Sequence, residues 1–207
     1  MKRPPHKAAE VQVECKETAF QGYFQVDRYT LKHPLHRGGS SGSLVREVFE
    51  RGHVAALLPV DFKRQELVLI EQFRPGAHAA GWYPWLLECV AGVIEEGETA
   101  PAVARRECTE ETGLDVARTE FVCRYLTSPG AGSETHHLYI GEVDTSAAGG
   151  VHGLASEGED ILVHRCSFDA AFALMANGEI VNSKTLIALQ WLQLHGDRLQ
   201  REWAQGS

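Results

Sequence analysis

The sequence predicts a mixed α/β sandwich preceded by a small all-β segment. Two apolar runs with strand character, residues 53–60 and 66–73, flank a charged turn at 61–65. The elements that follow run strand, helix, strands, helices, without the regular βαβ rhythm of a doubly wound sheet. Residues 10–51 carry only alternating, aromatic-rich segments, too little to bury a core unaided. The chain has 207 residues, 43% hydrophobic, enough for one substantial core or two small ones. We divide it into an N-terminal β-strand subdomain, 1–51, and an α/β domain, 52–207.

In the first part, residues 11–13, 23–31 and 44–49 read as strands, and the Gly/Ser-rich stretch 36–43 as a turn or mobile loop. In the second part, 76–84 is loop-like and 85–90 returns to strand character. A helix fits 99–112: Thr99 can cap it, Pro101 suits its first turn and Gly113 supplies the stop. Strands fit 120–126, 136–143 and 161–164, with a Gly-, Ala- and acid-rich loop at 144–159. Residues 167–176 and 183–194 complete the pattern as helices, the first capped by Ser167 and ended by Asn177-Gly178.

Charge narrows the function. Twenty Lys and Arg against 28 Asp and Glu give a net charge of −8, which disfavours non-specific nucleic-acid binding. Small phosphorylated ligands remain compatible, held by local arginines or by divalent cations. No apolar run is long enough to cross a bilayer, and no signal-type apolar segment follows the basic residues 1–6. A cytoplasmic protein is the plain expectation. The five cysteines form no close pair, so they fit neither a disulfide framework nor a zinc knuckle. No P-loop, GxGxxG or His-Glu-x-x-His motif occurs, and the ten histidines read as structural or surface residues.

The most informative window is 88–115, whose eight acidic and two basic side chains supply −6 of the −8. On a helix Glu107 and Glu111 share a face, and Glu110 borders it. Like charges at that spacing repel, and a hard divalent cation relieves the repulsion with the oxygen ligands it prefers. Arg106 is placed to reach an acidic neighbour and orient it. Two glutamates four apart are common on solvated helices. The case for chemistry rests on the larger array of Gly92, Glu98, Arg106-Glu107, Glu110-Glu111 and Gly113-Leu114.

That array resembles the complete signature of the Nudix hydrolases, with Cys108 where a bulky aliphatic residue is usual. The resemblance extends over nearly the whole chain from about residue 10 and is nearest to the bacterial ADP-ribose pyrophosphatases. These carry a proline about sixteen residues after the last glycine of the signature, as Pro129 follows Gly113 here. The family implies an α/β/α sandwich with a mixed sheet, plus an N-terminal antiparallel β-subdomain. It also implies Mg²⁺-dependent (or Mn²⁺-dependent) hydrolysis of a nucleoside diphosphate sugar, and a homodimer whose N-terminal strands are exchanged.

By position, the resemblance implies metal binding by Glu107, Glu111 and the Ala91 carbonyl, with Glu110 contributing through water and Glu159 adding a contact. It places the general base on Glu157 in the acidic loop. Substrate contacts are implied for Arg46 and Arg74 at the nucleoside and phosphates, Tyr23 stacking on adenine from the second subunit, Glu134 at the terminal ribose, and Val93 in the same pocket. The expected reaction is attack by a metal-activated water on one phosphorus of ADP-ribose, yielding AMP and ribose 5-phosphate. The alternatives are hydrolysis of another nucleoside diphosphate sugar such as GDP-mannose, or a non-catalytic nucleotide-binding module.

Overall fold

The computed structural model describes Lys7 and residues 10–205; the basic segment 1–6 falls outside them. Two compact units result. One comprises the described residues up to Gly52 together with Leu126–Glu134; the other comprises His53–Tyr125 and the described residues from Thr135 onward.

The first unit is an antiparallel sheet of β1 (Gln12–Gln21), β2 (Gln25–Lys32) and β3 (Leu44–Glu50), in that order. The sequence suggested a strand only at 11–13, but β1 continues to Gln21 with two bulges against β2. It is exposed along its whole length, so its side chains carry little of the alternation by which a half-buried strand is recognised. At the centre, Asp27 is fully buried and takes an ion pair from Lys16 at 2.8 Å and hydrogen bonds from Thr18 and Gln25. Its neighbours are polar, whereas Val13, Phe20, Tyr23 and Val45 lie open to solvent.

The second unit is built on a mixed eight-stranded sheet. Its strands are β4 (His53–Asp61), β5 (Glu66–Phe73), β6 (Trp85–Glu88), β7 (Val90–Val93), β8 (Arg118–Leu126), β9 (Thr135–Glu142), β10 (Val151–His152) and β11 (Ile161–Ser167). The path runs β10-β11-β5-β4-β9-β8, with β4 and β9 pairing in parallel. β4 and β5 pair only at Val60–Leu67 and Asp61–Glu66, and then diverge. Into the gap runs the 85–93 segment, with β6 bonded to β5 and β7 to β4. The single strand anticipated at 85–90 is therefore two, interrupted at Cys89.

Helix α2 (Ala100–Thr112) covers one face of this sheet, and α3 (Phe168–Ala176) and α4 (Ser183–Gln205) cover the other; a one-turn helix, α1 (Pro75–Ala79), lies at the end of β5. Alternate residues of β4 and β5 feed two separate cores. Ala55, Leu57, Val68 and Ile70 pack with Val103, Ala104 and Cys108 of α2. Ala56, Leu58, Leu67 and Leu69 pack with Ala171, Ala188, Leu189 and Leu192. Helices on both faces explain why these strands read as unbroken apolar runs. This is the anticipated α/β/α sandwich with an antiparallel N-terminal sheet.

Local details depart from the sequence reading. Thr99 precedes α2 without a capping side-chain bond, while Gly113 ends it in the left-handed conformation at φ 72°. Ser167 does cap α3, accepting from the Ala170 N–H. The loop at 76–84 begins with α1, and β10 lies inside the 144–159 segment. Helix α4 continues beyond 194 because Leu199 and Trp203 keep its inward stripe going past polar His195, Asp197 and Arg198. No helix among the described residues is long and apolar enough to cross a membrane. Cys89 and Cys108 are buried, Cys123 and Cys166 half-buried, and Cys15 exposed.

The Trp203 ring packs edge-on against Phe62 at 5.5 Å and under the Arg118 guanidinium. Trp203→Ala is expected to cost about 3–5 kcal/mol of stability in urea unfolding, whereas an exposed α4 change such as Gln193→Ala stays within about 0.5 kcal/mol.

Candidate active site

The site is made where α2 presses on the β6–β7 ribbon. Helix periodicity puts Glu107 and Glu111 on the face toward the sheet, and they meet a strand without a side chain at residue 92. A Cβ at Gly92 would lie 1.8 Å from the Glu107 Oε1 and 2.0 Å from its Cδ. The Glu107 carboxyl thus fills the space that any other residue at 92 would claim. One strand residue earlier, the Ala91 N–H donates to Glu111 Oε2 at 3.1 Å.

Around this pair stands a ring of charge. Arg106 Nη1 is 2.8 Å from both Glu107 Oε1 and Glu110 Oε2, and its Nε is 3.5 Å from Glu98. Glu98 in turn accepts from the Glu95 N–H. The loop bearing Glu157 and Glu159 closes on itself. Glu159 Oε2 accepts from the Leu154 N–H at 3.0 Å, while Glu157 ends a single 3₁₀ turn, Ala155–Glu157, exposed to solvent.

Burial makes these carboxylates costly to ionise. Glu111 is pushed up to about 8, chiefly by burial; Lys184 and the Ala91 N–H pull it down, and the charge of Glu107 pushes it up. Glu107 is also raised, first by burial and further by Glu110 and Glu159, against the pull of Arg106. Among the described residues, no three acidic, His or Cys side chains form a ready-made cation cage. The donor set nonetheless suits a hard divalent cation: it is all oxygen, its members repel one another, and its most buried member lacks a compensating charge of its own.

A second cluster adjoins the first. Glu88, at the end of β6, is 1% exposed. Arg74 reaches it from the end of β5 with Nε and Nη2 at 3.3 and 2.8 Å, Lys184 of α4 with Nζ at 2.5 Å, and Asn182 at 3.1 Å. Burial alone would raise the Glu88 carboxyl, but Lys184 and Arg74 outweigh it and hold it at about 2. Burial also works against the charge on Arg74; Glu88 chiefly, then Glu111 and Glu159, keep that guanidinium above its ordinary value. Sequence reading missed Glu88 and Lys184 as members of this neighbourhood. They are separated by 96 positions and carry no motif.

The second unit therefore brings together Arg74, Ala91, Arg106, Glu107, Glu110, Glu111 and Glu159 of the anticipated residues. Val93 lies just beyond Gly92 and is half-exposed. Glu157, also in the second unit, stays exposed on its 3₁₀ turn, and the first unit holds the remaining three. Tyr23 is 95% exposed, Arg46 is exposed on β3, and Glu134 is buried beside Arg51 at 3.3 Å.

The model of the NUDIX domain matches residues 50–189. The chain belongs to the Nudix family. It is 50% identical over 195 residues to "ADP-ribose pyrophosphatase" of Escherichia coli K12, covering 94% of this chain and 93% of that protein. It is 40% identical over 200 residues to the Haemophilus influenzae protein of the same description, covering 94% and 91%. Identity falls to 37% over 152 residues with "GDP-mannose pyrophosphatase" of Cronobacter sakazakii, covering 73% and 78%. A solved structure described as "ADP compounds hydrolase" shares the fold with a TM-score of 0.67 at 19% identity, covering 90% of this chain and 96% of that one.

Two outcomes follow from this geometry. Gly92→Ala is expected to displace Glu107 and lower kcat at least about 100-fold, with far-UV circular dichroism unchanged. For Glu111 the sign is that of a carboxyl raised on folding. The cation-free protein loses stability as pH climbs from about 4.5 to about 8, then levels off. Glu111→Gln should remove that loss, stabilising the chelated protein at pH 9 by roughly 2–4 kcal/mol in urea titrations while abolishing hydrolysis.

Proposed function

We propose that this chain hydrolyses the diphosphate of ADP-ribose to AMP and ribose 5-phosphate, with Mg²⁺, or Mn²⁺ in its place, as the divalent cation. The observation that carries the reading is the seating of Glu107 on Gly92 beside Glu111, in a chain half identical, nearly end to end, to ADP-ribose pyrophosphatases.

Glu107, Glu111 and the Ala91 carbonyl would hold the cation, with Glu110 acting through water and Glu159 adding a contact. The bound cation supplies Lewis acidity toward the diphosphate oxygens and lowers the pKa of the attacking water. Arg106 keeps Glu107 and Glu110 turned in one direction. Arg74 offers its guanidinium to the diphosphate, for which a planar fork is suited. Glu157, exposed and free of the turn bond that occupies Glu159, takes the proton as water adds to phosphorus and the bridging P–O bond breaks. Val93 borders the pocket, and Glu134 contacts the terminal ribose.

We also assign residues 1–51 as a dimerisation subdomain exchanged between two copies and 52–207 as the hydrolase domain. Support comes from the uncovered apolar side chains of the N-terminal sheet, which Val13, Phe20 and Tyr23 exemplify. In this reading Tyr23 stacks on the adenine and Arg46 contacts the nucleoside side of the substrate. A cytoplasmic location agrees with five cysteines that are all free.

GDP-mannose hydrolysis is the second reading, favoured by the matches to GDP-mannose pyrophosphatases. Steady-state hydrolysis of ADP-ribose, GDP-mannose, ADP-glucose and NADH, with Mg²⁺ and then with chelator, separates the two. The expected outcome is the highest kcat/KM on ADP-ribose, release of AMP, and loss of turnover on chelation; a preference for GDP-mannose would replace the substrate. Glu157→Gln should lower kcat by about 100- to 10,000-fold with KM within about threefold, and an unaltered kcat would remove Glu157 from its role as base.

A further inference from the structure

Lys184 is given no contact with cation or substrate above, although its charge draws the Glu111 carboxyl down, and its placement is physically expensive. It lies in the first turn of α4, at the positive end of the helix dipole, where a cation is disfavoured. It is also 5% exposed, and lysine is among the residues least often buried unless paired. Its ammonium ends 2.5 Å from Glu88 Oε2, the same oxygen that Arg74 Nη2 reaches at 2.8 Å. One buried carboxylate thus faces two cations.

The stoichiometry matters for Arg74. With Glu88 and Arg74 alone, the pair would be neutral, and the guanidinium would be fully spent on its partner. With Lys184 sharing the carboxylate, the triad carries one surplus positive charge. Lys184 is nearly enclosed, whereas the Arg74 side chain is 32% exposed, so Arg74 is the member able to present that charge to a ligand. Asn182 donates to the other oxygen, Glu88 Oε1, which Arg74 Nε also approaches. The carboxylate is therefore fixed from three directions and serves as a rigid seat for the guanidinium.

We propose that Lys184 is a positioning residue for substrate binding: by sharing Glu88, it keeps Arg74 oriented and electrostatically available to the substrate diphosphate. The inference rests on the reading of Arg74 as a diphosphate contact. Lys184 touches no reacting atom, so its effect falls on binding more than on the chemical step.

The test is a double-mutant cycle on the full-length protein with ADP-ribose and Mg²⁺. Lys184→Met is expected to raise KM about tenfold with kcat within about threefold. Lys184→Arg should restore most of the loss. In an Arg74→Ala background, Lys184→Met should add less than about twofold, because the contact it supports is already gone. Lowered thermal stability with unchanged KM would reduce Lys184 to a structural tie between α4 and β6 and overturn the proposal. Equal, additive effects in both backgrounds would overturn it as well. If Lys184→Met does not fold, Lys184→Gln removes the charge, retains a donor to Glu88 and carries the same expectation. Unmodified enzyme that hydrolyses none of the nucleotide sugars would instead refute the underlying substrate reading, and this proposal with it.

Discussion

The whole site depends on one close approach, that of a helix to a strand lacking a side chain. Because Gly92 has no Cβ, α2 can lie near enough for Glu107 to fill the vacant space and for Glu111 to reach the Ala91 amide. The apolar neighbours Val103, Ala104 and Cys108 set that approach by packing on Ala55, Leu57 and Val90. Hydrophobic burial on one stripe of the helix therefore drives carboxylates on the adjoining stripe into surroundings they would otherwise avoid. Raised affinity of Glu107 and Glu111 for protons is the electrostatic result, and readiness for a divalent cation is its chemical counterpart.

The neighbouring Glu88 cluster solves the opposite problem. There a carboxylate is buried as completely, yet remains ionised because two cations and an amide converge on it. Buried acidic groups in adjoining clusters thus occupy opposite regimes. Glu111 awaits a counter-charge from outside the chain, whereas Glu88 has its counter-charges built in. Arg74 stands between the two and responds to both.

Much of this was legible in the sequence, for reasons particular residues make plain. The strands β4 and β5 announce themselves because both faces are covered, and α2 because Gly113 and the Glu spacing mark its end and its charged face. The carboxylate array was readable because helix periodicity converts spacing into geometry. β1 was foreshortened, since an exposed strand has no apolar period to display. The Glu88–Lys184 pair was invisible, since contacts across 96 positions depend on how β6 and α4 are assembled, and nothing local encodes that. A buried lysine reads from sequence as a solvated one.

The 85–93 ribbon has a consequence for how this chain tolerates change in length. Leu87, Cys89 and Ala91 turn toward the core under α3 and α4, whereas Val90 joins the core beneath α2 and Gly92 faces Glu107. Insertion or deletion of one residue here would invert that alternation at a stroke. It would present a side chain to Glu107 and carry the anchor of Arg74 out of reach. The stretch just before it, with Trp82 and Tyr83 exposed, faces no such restriction. Homologous chains can therefore be expected to vary in length up to Pro84 and to keep a fixed residue count from Glu88 to Gly92, so that an alignment gap inside that interval would mark a protein whose chemistry has moved elsewhere.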